Sequence, residues 1–160
     1  MRLLALDPGF QTGWAFFNNK AEKWRLCYAG IMRAKGEDWL RVGSLVKVLG
    51  MLVNIHDPEL VVIEMPQYFD NAGGNMAAKR GDLGKLMIVT GALFGAAASH
   101  GVDVQLVPVR TWKGNLPKSV SQERTLKALA QMESNAHPSS HALDAAGLGL
   151  WVIEKLRESR

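Results

Sequence analysis

The sequence predicts an α/β fold: a five-stranded mixed sheet flanked by helices on both faces. Three observations carry this. The runs Leu3-Leu4-Ala5-Leu6 and Leu60-Val61-Val62-Ile63 are apolar without alternation, as in strands covered on both sides. Residues 37–55, between them, have helical periodicity, so the later strand returns parallel to the first through a right-handed crossover. Two aromatic-rich segments, 13–17 and 24–32, flank a polar hexapeptide and read as an antiparallel meander after the first strand.

Each element has a local reason. The first strand stops at Asp7, because Pro8-Gly9 is a turn signal. A carboxylate at the end of a doubly covered strand is partly desolvated and needs a proton, a hydrogen bond or a cation. An aspartate that merely starts the turn is the plainer reading. In the first helix Leu40, Leu45, Val48, Leu49 and Leu52 form the packing stripe, and Asp57-Pro58 breaks it. The run beginning at Leu60 then repeats the opening pattern and ends in Glu64. If the two strands are neighbours, Asp7 and Glu64 meet at adjacent strand ends. Two unpaired carboxylates there repel, and a divalent cation resolves the conflict most simply; a salt bridge to lysine is the structural alternative.

Residues 67–81 are polar and glycine-rich and contain Tyr68, Phe69, Lys79 and Arg80. Aromatics beside basic residues suit stacking on unpaired bases with phosphate contacts, although the two rings could equally cover the core. Residues 82–100 form a second helix whose Gly84, Gly91 and Gly95 admit close approach by the sheet or a second subunit. Residues 102–107 are a third buried-type strand. Residues 108–119 read as a loop carrying Arg110, Trp112, Lys113 and Lys118, either a phosphate-facing edge or a solvated basic loop. A helix over 121–132 is expected to be capped by Ser121, with Arg124 and Lys127 outward. The last helix starts near Pro138, a first-turn residue. His141 and Asp144, three apart, then share one face near its positive end, while Leu148, Trp151, Val152 and Leu156 dock it on the sheet. That docking aims both residues at the carboxylate pair, giving a mixed oxygen and imidazole cation site.

Composition sets the outer limits. The 160 residues fit one domain, 1–160, and 48% apolar with 21% charged residues is ordinary for a soluble globular protein. No 18-residue apolar run predicts a membrane span, and the start lacks the form of a signal peptide, which makes cytoplasmic the expected location. The single cysteine, Cys27, excludes an intramolecular disulfide and reads as a packed strand residue. A net charge of +4 and a pI near 9.4 lean towards a polyanionic partner.

Asp7-Pro8-Gly9 with Thr12-Gly13, then Val62-Ile63-Glu64, then His141-Ala142-Leu143-Asp144-Ala145-Ala146 resemble, in this order, the RuvC-like Holliday-junction resolvases of the ribonuclease H superfamily. The likeness runs from Leu3 to about Trp151. It implies a ribonuclease H-like fold and a metal-dependent endodeoxyribonuclease acting on four-way junctions as a homodimer, with no nucleotide cofactor. It also implies Asp7, Glu64, His141 and Asp144 as metal-binding catalytic residues, two Mg²⁺ ions with Mn²⁺ as a substitute, and Lys113 and Lys118 near the DNA backbone. Many members have Asp where His141 stands. Two further departures concern the turn between Asp-Pro-Gly and Thr-Gly, which is one residue short, and Gln67, which stands where the family has a base-stacking Phe. Tyr68 or Phe69 is the replacement expected. The compact length and short turn are closer to bacteriophage-encoded members.

Three other classes compete. The Asp7–Gly13 turn also resembles the phosphate turn of actin-like kinases, but these need two such domains around a nucleotide. A non-catalytic binder of branched DNA has no use for clustered acids facing phosphates. A flap or fork nuclease differs only in features set by loops and subunit pairing.

Overall fold

A strand that is apolar on both sides belongs in the middle of a sheet, and β1 (Arg2–Asp7) is there. The computed structural model describes residues 1–67, 81–132, 134, 136 and 138–159. Its five-stranded sheet has the order β3-β2-β1-β4-β5. β2 (Gln11–Lys20) runs antiparallel to β1 and to β3 (Lys23–Arg33); β4 (Leu60–Met65) runs parallel to β1 and to β5 (Asp103–Pro108). This is the mixed sheet the sequence predicts.

Alternation along β1 builds two cores. Leu3 joins Phe17, Val62, Leu143 and Leu148 on one face, and Leu4 and Leu6 join Leu45, Leu49, Ile63 and Leu93 on the other. Helices α1 (Asp38–His56) and α2 (Asp82–Ser99) cover the second face. The first face receives the short α3 (Val109–Trp112), α4 (Lys118–Ala130) and α5 (Ser140–Glu158). Asp57 ends α1 in the left-handed conformation at φ 46°, its N–H bonded to the Val53 carbonyl, as the Asp-Pro break leads one to expect.

Four expectations are corrected. β5 is a sheet edge, with Val107 its only buried residue and Leu106 and Gln105 exposed, so its apolar composition overstated its burial. The meander turn is two residues, Ala21 and Glu22, both at positive φ (52° and 62°), and the flanking polar residues continue the strands. α4 starts three residues early, at Lys118, and Ser121 is a buried first-turn residue whose N–H bonds the Pro117 carbonyl. Its polar start hid the boundary. α5 begins at Ser140 with Ser139 as N-cap, leaving Pro138 outside the helix. In addition, the expected loop at 108–119 contains the α3 turn.

Against the expectation of no such run, α2 has the length and composition of a membrane-crossing helix, at mean hydropathy 1.2 over 18 residues, because its many alanines and glycines hide it among less apolar residues. It packs on α1, β4 and β5 through Val89, Leu93 and Ala97, and exposes Met87, Ile88 and Phe94.

Candidate active site

The register Leu6↔Ile63 brings the ends of two parallel strands level, so the next residues, Asp7 and Glu64, are neighbours at the sheet's carboxyl edge. Crevices beyond the carboxyl ends of parallel strands are the usual binding places of such sheets. The first turn of α5 is laid across this edge at Gly13, directly opposite Asp7 in the β1–β2 ladder. A Cβ at Gly13 would clash with the His141 carbonyl group and stand 2.9 Å from the Ala142 nitrogen, so only glycine lets the helix come this close. Buried Thr12 secures the turn between them: its hydroxyl donates to the Gly9 carbonyl at 2.6 Å and accepts from the Gly9 N–H at 3.3 Å.

The result is a cluster. Ligand atoms of Asp7, His141 and Asp144 all lie within 4.8 Å of one another, and His141 Nδ1 is 3.4 Å from Asp7 Oδ2. Glu64 lines the same cleft but stands outside that tight trio, where the Trp112 indole N–H donates to its Oε2 at 2.9 Å. Asp144 is buried, 5% exposed, and meets Lys118 Nζ at 2.7 Å and Lys113 Nζ at 3.6 Å. Gln122 Nε2 donates to Asp144 Oδ1 at 3.3 Å and to the Ser140 carbonyl at 3.0 Å, tying α4 to the start of α5.

The electrostatics are unfavourable for the bare carboxylates. Burial, then the Asp144 charge, pushes Asp7 from 3.8 up to about 7, against the pull of Lys118 and Lys113. Glu64 also rises to about 7, through burial and then the Asp7 charge, with Lys113 and the Trp112 hydrogen bond opposing. A divalent cation among them would replace protons and remove the repulsion. The donors, carboxylate oxygens and one imidazole, suit Mg²⁺ or Mn²⁺, with the imidazole favouring the latter.

The sequence-predicted Asp7, Glu64, His141 and Asp144 thus converge from three distant segments, and Lys113 and Lys118 join them as partners of Asp144. Arg110 lies in α3, its backbone N–H bonded to Gln67 Oε1 at 3.0 Å, so Gln67 braces the basic turn. Tyr68, Phe69, Lys79 and Arg80 lie outside the described residues. Sequence reading gave Trp112 and Gln122 no part here. Trp112 had one signal, a lone indole donor inside a basic segment; Gln122 had none.

The arrangement defines a ribonuclease H-like fold with a carboxylate centre at the carboxyl edge of β1 and β4. No family model matches the chain and no curated protein matches its sequence. Among solved structures, the chain has the fold of Thermus thermophilus RuvC: TM-score 0.74, 22% identity, 99% of this chain and 97% of that one. The same enzyme in complex with Holliday-junction substrate gives 0.74 at 20% identity, covering 99% and 96%. The yeast mitochondrial Holliday junction resolvase Ydc2 gives 0.59 at 10%, covering 95% and 80%. Since RuvC of T. thermophilus is matched over nearly its whole length, compact length does not separate this chain from a cellular form.

Proposed function

We propose that the protein is a metal-dependent endonuclease that resolves four-way DNA junctions by paired nicks, acting as a two-fold homodimer. The observation that carries this is the trio of Asp7, His141 and Asp144 within 4.8 Å, beside Glu64, with two lysines in the same cleft paired to Asp144. Clustered acids with lysines at hand fit a phosphodiester substrate, whose charge needs both a cation and hydrogen-bond donors. Solved structures of this fold include two captured with Holliday-junction DNA, RuvC and a fowlpox virus resolvase (TM-score 0.54, 13% identity), which supports the choice of substrate.

In this reading Asp7, Glu64, His141 and Asp144 would together hold two ions. When bound, the ions supply Lewis-acid charge on the scissile phosphate and lower the pKa of the attacking water. The chain's own side chains do the rest. The Trp112 indole fixes one Glu64 oxygen and so the direction of the other. Gln122 orients Asp144. His141, 43% exposed, keeps Nδ1 3.4 Å from Asp7 Oδ2; it serves either as a ligand beside Asp144 or, instead of that, to position or deprotonate the attacking water. Lys118 and Lys113 exchange Asp144 for phosphate oxygens as DNA enters.

Two equivalent cuts in a junction call for two centres related by a dyad. α2 supports a subunit contact. Exposed Gly84, Ile88, Gly91, Gly95 and Ala98 recur at helical four-and-three spacing, and Cβ atoms added at the three glycines meet nothing within 4 Å.

The test is Asp7→Asn. This variant keeps binding a labelled four-way junction and loses cleavage in Mg²⁺ or Mn²⁺; undiminished cutting rejects the metal assignment. Equal cutting of forks and flaps by the unaltered protein retains the centre and removes junction selectivity.

A further inference from the structure

The cleft beside the carboxylates, about 510 Å³, has a third cation that the centre does not use. Arg41, in the first turns of α1, lines it together with Phe10 from the turn after β1. The guanidinium carbon lies over the Phe10 ring, 4.0 Å from its centre, a cation–π contact that braces the side chain. Its side chain is 26% exposed, and its Nε is buried with no hydrogen-bond partner among the described residues. Among the described residues its one ion pair is long. Asp38 Oδ1 is 3.7 Å from Nη1, while Lys85 holds the other Asp38 oxygen at 3.0 Å. Arg41 therefore carries positive charge into the cleft that Asp38 scarcely offsets.

Position gives this meaning. α1 covers one face of the sheet, and α3 and α4, which bring Lys113 and Lys118, cover the other. The carboxylates lie at the sheet edge between them. A strand laid across that edge meets lysines from one side and Arg41 from the other. We infer that Arg41, braced on Phe10, holds a phosphate of the bound DNA strand on the α1 side of the cleft, so that the strand is gripped on both sides of the scissile bond. Planar forks recognise phosphate with two parallel hydrogen bonds, which a lysine cannot reproduce. Phe10 itself would then be a positioning residue, acting through the guanidinium.

This rests on the nuclease reading, and the experiment separates the two. Binding of a labelled four-way junction is measured in chelator over a salt series for the unaltered protein, Arg41→Ala, Arg41→Lys and Phe10→Leu, each checked by thermal unfolding. Arg41→Ala is expected to weaken binding about 10-fold to 100-fold and to lower the slope of log K against log salt by about one, the loss of one phosphate contact. Arg41→Lys keeps the slope while losing part of the affinity, and Phe10→Leu does the same with Arg41 intact. A folded Arg41→Ala or Arg41→Lys protein that matches the unaltered protein in slope and affinity, or an Arg41→Lys slope as low as that of Arg41→Ala, overturns the Arg41 assignment alone. Should Arg41→Ala unfold, Arg41→Lys and Phe10→Leu decide, and unchanged affinity in both refutes the inference. Failure of the unaltered protein to bind or cut any branched DNA overturns the nuclease reading instead.

Discussion

Gly13→Ala is the most informative single substitution, because it adds one methyl group where a helix backbone already stands. That methyl would clash with the His141 carbonyl and lie 2.9 Å from the Ala142 nitrogen. Restoring an ordinary carbon contact of about 3.5 Å requires the start of α5 to retreat by roughly 1 Å. Both elements are backbone, so no rotamer change absorbs the strain. Overpacking of this kind costs about 1–3 kcal/mol, which in a chain of this size lowers the Tm by roughly 3–10 °C. The larger effect is chemical. His141 and Asp144 ride on the displaced turn while Asp7 stays on β1, and a misplacement of about 1 Å costs on the order of 100-fold in turnover. Single-turnover cleavage of a four-way junction reads this directly, with junction binding as a second readout that should be nearly unchanged. Gly43→Ala is the control. It is exposed in α1 with nothing within 4 Å of an added Cβ, and should stabilise by roughly 0.5–1 kcal/mol with full activity. Wild-type cleavage and Tm in Gly13→Ala would refute the seating of α5 on β2 as the device that assembles the centre.

Other outcomes follow from the same geometry. Trp112→Phe removes the N–H that holds Glu64 Oε2 at 2.9 Å while keeping most of the packing, so cleavage should fall roughly 10-fold with little change in junction affinity; equal activity would show that Glu64 needs no brace. Asp7, raised from 3.8 to about 7, binds its proton more tightly in the folded than in the unfolded chain. The metal-free protein is therefore most stabilised by this group below pH 4 and loses that contribution as pH rises to about 7. A change of this size corresponds to roughly 4 kcal/mol at alkaline pH, shared with Glu64 because the two titrate together. In chelator at pH 8, Asp7→Asn should melt several degrees above the unaltered protein, and a variant no more stable than wild type would contradict the electrostatic account. Mg²⁺ or Mn²⁺ at about 100 times its Kd should restore roughly 2.7 kcal/mol to the unaltered protein at that pH. The acid limb of cleavage, set by Asp7 and Glu64, should move to lower pH as metal concentration rises, since protons and metal compete for the same oxygens.

How far the sequence revealed this architecture depended on whether a feature was local. β1 and β4 were legible because unbroken apolar runs report burial on both faces, and their terminal acids marked the sheet edge. The pairing of His141 with Asp144 was legible from their spacing on one helix. β5 misled, since an apolar run does not say whether a strand has a neighbour on both sides. The starts of α4 and α5 were misplaced because proline and serine each fit several positions near a helix start, and Pro117 and Ser139 took the caps. Trp112 and Gln122 were invisible in their roles, since their partners lie 48 and 22 residues away and only tertiary packing brings them together. Arg41 was hidden for the same reason: its place over Phe10 depends on how α1 crosses the sheet.

The most direct measurement is cleavage of an end-labelled four-way junction beside a matched duplex, with the cut positions mapped on all four strands in Mg²⁺, in Mn²⁺ and in chelator. The centre described above predicts paired nicks at symmetric positions on two opposing strands, confined to the junction and abolished by chelator. Cutting that persists in chelator, or that falls equally on the duplex, would contradict it.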